Sequence, residues 1–197
     1  MASLLRIAAA VLVVISVAAF VVHDPPGFLR KEIDRARTAR DPWAAYLAPE
    51  SACAEPSDAV SQEQTMICLL NYARARRGLP PLQIVAELTR SATLKALAIV
   101  SCADFSHTPC GKPFRDAFDA AGYTGSVSTT FGENIAWGSG AAGSPRVVVS
   151  GWLNSPHHRE NLFSGDWAEQ GISVLSVSRF LGSRNVEIWV SQFGVRT

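Results

Sequence analysis

Residues 171–194 read GISVLSVSRFLGSRNVEIWVSQFG. Ile172, Val174 and Ser176 alternate with their neighbours at the period of a strand, and residues 186–193 form a second extended run. Gly182-Ser183-Arg184-Asn185 supplies the turn between them, so the stretch predicts an antiparallel hairpin. Upstream the period is helical. Ser61-Gln62-Glu63-Gln64 fits a capping box, Met66, Leu69, Leu70 and Ala73 follow at helical spacing, and Gly78 with Pro80-Pro81 stops the run. A second helix is predicted over 86–101 with Leu88, Ala92, Ala96 and Ile99 facing inward, and a third from Pro113 to Gly122. Ser144-Pro145 and Ser155-Pro156 each read as a cap followed by a first-turn proline, and 131–136 reads as a short strand. Helices first and a hairpin last make the fold class α+β.

The rest of the chain sets the context. With 197 residues there is room for one domain plus an attachment. A hydrophobic fraction of 48% against 18% charged excludes a disordered or collagen-like chain. Eighteen Lys and Arg face 17 Asp and Glu, which gives no electrostatic case for nucleic acid. Residues 7–22, IAAAVLVVISVAAFVV, follow Arg6 without a charge. Residues 1–22 are thus a signal peptide, with Val17-Ala18-Ala19 as the cleavage candidate, or an uncleaved anchor near the ~20 residues needed to span a bilayer. Either way the domain is expected outside the cell, secreted or membrane-anchored. Residues 23–56 form a proline-punctuated linker arm, in which 28–40 has amphipathic helical spacing, and the domain is expected over 57–197.

Export makes the four cysteines a disulfide set. Of the three pairings, that of sequence neighbours, Cys53–Cys68 and Cys102–Cys110, ties the arm to the first helix and closes the segment holding His107. No phosphate loop, Gly-x-Ser-x-Gly elbow or His-Glu-x-x-His is present, and no nucleophile is recognised, so catalytic residues stay unassigned.

Three segments stand out in order: Asp104-Phe105-Ser106-His107, Gly132-Glu133-Asn134-Ile135-Ala136, and Trp152-Leu153-Asn154-Ser155-Pro156-His157-His158-Arg159-Glu160-Asn161-Leu162. With Gly171-Ile172 and the final Trp189-Val190-Ser191-Gln192-Phe193-Gly194, the chain resembles the CAP superfamily, or SCP-like domains, in its bacterial extracellular branch, over about residues 60–195. The resemblance implies an α-β-α sandwich with a small antiparallel sheet flanked by helices. It also implies a cleft of His107, Glu133 and His158, where some family members bind zinc or another divalent ion. His157 is read as a surface neighbour. Ser155 stands where animal and plant members often carry a further Glu, and Glu169 is not assigned to the cleft.

Two imidazoles and a carboxylate are a three-ligand set for Zn²⁺ that leaves a position for water. The same trio suits metal-free acid–base work, and equally a hydrogen-bonded network tying helices to sheet. The resemblance implies a binding or interaction module for an envelope, lipid or surface ligand; the other reading is a metal-assisted hydrolase of peptides or envelope material.

Overall fold

The structure, a computed structural model, describes residues 41–57, 61–125 and 128–197. The leader or anchor expected over 1–22 and the amphipathic stretch 28–40 lie outside these residues. The elements run α1 (Gln62–Ala75), β1 (Gln83–Ile84), α2 (Ala86–Cys102), α3 (Asp116–Ala120), β2 (Thr129–Ser139), α4 (Pro145–Asn154), α5 (Pro156–Phe163), β3 (Glu169–Phe180) and β4 (Ser183–Arg196).

The predicted hairpin is the centre of the sheet. Strand order is β1-β3-β4-β2, with β4 antiparallel to both β2 and β3. The turn is tighter than the sequence suggested. Phe180 pairs with Ser183, so only Leu181 and Gly182 lie between the strands, at φ +44° and +84°. A two-residue turn needs positive φ at both positions to follow the strand twist. The remaining turn-like residues are therefore absorbed into β4. The sheet is mixed rather than wholly antiparallel, because β1 runs parallel to Glu169 and Gln170 of β3. Two residues between Pro80-Pro81 and α2 carry no periodic signal.

Strand β4 is buried on both faces. Ile188 and Val190 pack with Ala92, Ala96 and Ile99 of α2. Trp189 and Phe193 pack with Met66, Leu69 and Leu70 of α1 and with Val149, Trp152 and Leu153 of α4. Fully burying such a side chain is worth roughly 1.5–3 kcal/mol. The result is the expected α-β-α sandwich. Small residues set its thickness: a Cβ added at Gly171 would lie 2.0 Å from the Leu88 carbonyl carbon. Helix α2 thus rests directly on the backbone of β3.

The helix ends follow local chemistry. Ser61 Oγ accepts from the Gln64 amide at 3.2 Å, and Gln64 Oε1 accepts from the Ser61 amide at 2.7 Å, completing the capping box. Helix α3 starts at Asp116, because 113–116 is spent on a turn closed by the Asp116 amide on the Pro113 carbonyl. Arg74, buried at the end of α1, donates Nη1 to the carbonyls of Leu162 and Ser164, both at 2.9 Å, and so caps the carbonyl end of α5.

Residues 41–57 pack on the α1 and α4 side. Ala48 and Cys53 are buried there, and Trp43, Tyr46 and Leu47 lie against the same cluster. Arg159 stands 4.0 Å over the Trp43 ring. Arg146 binds Glu55 and the carbonyls of Ala48 and Cys53. Both expected disulfides are present, Cys53–Cys68 and Cys102–Cys110. Among the described residues no helix is long and apolar enough to cross a membrane.

Candidate functional site

Strand β2 is the far edge of the sheet, and its alternation sends Glu133 and Asn134 to opposite faces. Glu133 pairs across to Gln192 and points toward α2. Its carboxylate is buried and fully engaged. Oε1 accepts from His107 Nδ1 at 2.8 Å and faces Lys95 Nζ at 3.9 Å, while Oε2 accepts from Gln192 Nε2 at 2.8 Å. Lys95, brought in by α2, donates to the carbonyls of His107 at 2.6 Å and Phe114 at 3.4 Å. Burial pushes the Lys95 ammonium below its ordinary range, against the opposing pull of Glu133 and Asp116. The imidazole of His107 is half exposed, so a buried carboxylate and lysine hold a surface histidine in one orientation.

On the other face, side chains of α4 and α5 occupy the outward carbonyls of the edge strand. Asn161 Nδ2 donates to the Glu133 carbonyl at 3.1 Å and to Asn134 Oδ1 at 2.9 Å. Trp152 Nε1 donates to the Ile135 carbonyl at 3.3 Å. Asn134 Nδ2 in turn donates to the His158 carbonyl at 2.9 Å. These bonds cover an edge that would otherwise invite pairing, and they fix α5 against β2.

His158 occupies the first turn of α5. Its Nδ1 lies 2.8 Å from Ser155 Oγ, and its ring packs on Trp152 with centroids 6.4 Å apart. Burial first, then the charges of His107 and His157, hold the His158 pKa below the usual histidine value. Beside it an open pocket of about 280 Å³ runs between β2 and α4. Ala136, Ala142, Val147, Val148 and Trp152 make its apolar walls, Ile135 and Trp137 border it along β2, and Ser155 and His158 add polar atoms to the lining.

Of the three expected cleft residues, His107 and Glu133 are in direct contact. His158 bonds to neither; it is spent on Ser155 and feels His107 only through charge. Both carboxylate oxygens and both Nδ1 atoms have protein partners, which leaves the Nε2 atom of each histidine outside these bonds. Among the described residues no group of three His, Cys, Asp or Glu is placed to hold a metal. His157 is a surface residue, its side chain 95% exposed. Glu169 lies apart, bonded to Tyr123 and Arg196.

Sequence reasoning missed Lys95, Gln192, Asn134 and Asn161 as parts of the site. Two of them left a signal. Lys95 interrupts the inward stripe of Leu88, Ala92, Ala96 and Ile99, and Gln192 shares the buried face of Ile188 and Val190. A polar group placed on a buried stripe needs a partner.

The profile of the cysteine-rich secretory protein family, CAP, matches residues 68–193. Uncharacterized protein YkwD of Bacillus subtilis (strain 168) is 29% identical over 163 residues, covering 80% of this chain. The chain spans 58% of that relative's length. An outer surface protein from Borrelia burgdorferi is similar in structure, with TM-score 0.59, 25% identity, and coverage of 69% of this chain and 93% of that one. An extracellular protein containing a SCP domain from Bacillus anthracis str. Ames shares the fold at TM-score 0.53 and 23% identity, covering 66% of this chain and 39% of its own.

Proposed function

The chain belongs to the cysteine-rich secretory protein family, CAP, and from that premise we propose that it is an extracellular binding module for a small amphipathic ligand such as a single-chain lipid. One observation carries the reading: an open, mostly apolar pocket whose lining includes a serine and a half-buried histidine. At about 280 Å³ it is near the lower end of the ~300–1,000 Å³ found for small-molecule sites. Apolar walls would take the chain of such a ligand. Ser155 and His158 would take a head group that donates or accepts hydrogen bonds. The two disulfides support an oxidising, extracytoplasmic setting. In this reading the His107–Glu133–Lys95 cluster is scaffolding that fixes the edge strand beneath the pocket, and binding of the ligand needs no divalent ion.

Calorimetric titration of the purified domain with saturated fatty acids of increasing length tests this. Affinity should rise with chain length, and Val147→Asp, at a half-exposed wall position, should weaken it about tenfold, ~1.4 kcal/mol. Absence of binding, or binding indifferent to Val147→Asp, sinks the reading. A large gain on adding Zn²⁺ would restore metal to the account.

A further inference from the structure

Ser155 is the N-cap residue of α5 and His158 the third residue inside the helix, so helical spacing puts both side chains over one turn. The contact that results, Oγ to Nδ1 at 2.8 Å, is the distance at which a histidine takes a hydroxyl proton. Ser155 Oγ makes no capping bond to its own helix, which leaves the hydroxyl to the imidazole. The ring is held from behind by Trp152 and its backbone by Asn134. Both residues line the apolar pocket, so a group lying there meets the hydroxyl.

The helix start supplies a second element. Pro156 fills the first position, which has no N–H to offer, and the Ser155 side chain does not cap the amides of His157 and His158 that follow. No acid stands in this first turn. Amides at the positive end of an eight-residue helix, within two or three residues of the hydroxyl, are the donors that a developing oxyanion needs.

We propose that Ser155 and His158 are a nucleophile–base pair that hydrolyses a small acyl ester seated in this pocket. Ser155 Oγ attacks the ester carbonyl carbon while its proton passes to His158 Nδ1. The carbonyl π pair moves onto oxygen, facing the α5 amides. Collapse breaks the ester C–O bond, the alcohol leaves with the proton from Nδ1, and an acyl-serine remains. Water then attacks the acyl carbon and gives a proton to Nδ1. The carboxylic acid departs, and the proton returns to Oγ. Ester and water are the only reactants, and every proton taken up is given back. This rests on the pocket being a ligand site and adds a reaction to it.

The test uses the intact domain with a fluorophosphonate probe and a short p-nitrophenyl ester. One adduct is expected, mapped by peptide mass spectrometry to Ser155, together with ester turnover. Ser155→Ala should lose both. His158→Gln should slow labelling at least ~100-fold, the lower range for a general base. Ser106→Ala, beside His107, should label normally. Circular dichroism identifies any variant that fails to fold; labelling of the wild type needs no variant. Fatty-acid titration of the same sample separates the two readings. Binding without an adduct, or an adduct on another serine, overturns the dyad and leaves the binding reading standing. Neither binding nor adduct overturns both.

Discussion

Replacing Glu133 by Ala removes the carboxylate that forms the ion pair with a buried lysine. Lys95 Nζ, 3.9 Å from Oε1, would keep the carbonyls of His107 and Phe114 and only the weaker pull of Asp116. Gln192 Nε2 and His107 Nδ1 would each lose an acceptor at 2.8 Å. Breaking a buried pair by removing one partner costs about 3–5 kcal/mol. The two carbonyls and the Phe114 ring, 5.3 Å from Nζ, still solvate the ammonium, which places the cost near ~3 kcal/mol on that scale. For a domain of this size that is roughly a 6–12 °C fall in Tm. Urea unfolding followed by far-ultraviolet circular dichroism gives the free energy. The double variant Lys95→Met with Glu133→Leu supplies the control. With both charges gone it should be more stable than the sum of its single variants by at least ~1 kcal/mol. A loss below ~1 kcal/mol for Glu133→Ala, or additivity within ~0.5 kcal/mol, would refute the buried ion pair as a structural element.

Gly171→Ala should cost about 3 kcal/mol, since its Cβ would meet the backbone of α2 rather than a movable side chain; a neutral result in urea unfolding would mean that α2 stands further off the sheet. The two disulfides should separate under mild thiol. Both half-cystines of Cys102–Cys110 are exposed whereas Cys53 is 2% exposed, so mass spectrometry should find the 102–110 bridge reduced first. Their loop lengths give stabilisations of about 2.5 kcal/mol for Cys102–Cys110 and about 3 kcal/mol for Cys53–Cys68. His158 should titrate by NMR below the ~6.5 of an unperturbed histidine. As pH falls the unfolded chain takes up that proton first. The contribution of neutral His158 to stability is therefore complete above about 6.5 and is lost as pH drops through the lower folded-state value. Titration at or above 6.5 contradicts its burial.

Local rules made much of this fold readable. The capping box at Ser61 and Gln64, the proline-started helices α4 and α5, and the hairpin of β3 and β4 each depend on residues close together in sequence. Strand β1 was not readable, because two residues gain strand geometry only from Glu169 and Gln170, far along the chain. The start of α3 was misjudged for a related reason: a proline suits a first helical position, yet here it opens a turn. In the site, the motif strings located His107, Glu133 and His158. They did not say that Glu133 and Asn134 face opposite sides of an edge strand. That placement sends Glu133 to Lys95 and Gln192 and leaves His158 with Ser155. It is why Glu133 bonds His107 while His158 bonds Ser155. Ser155 drew notice in the sequence as a missing acid, whereas the structure makes it a hydroxyl within reach of an imidazole.

On the proposed function, the pocket between β2 and α4 receives an apolar chain. Trp137 and Trp152 line it, whereas Trp43, Trp167 and Trp189 do not. The five indole N–H signals in a ¹H–¹⁵N spectrum are therefore built-in reporters, and titration with a saturated fatty acid reads them directly. The Trp137 and Trp152 signals should move together and saturate while the other three stay in place. Shifts centred on Trp43, Trp167 or Trp189, or none at saturating ligand, would contradict that reading.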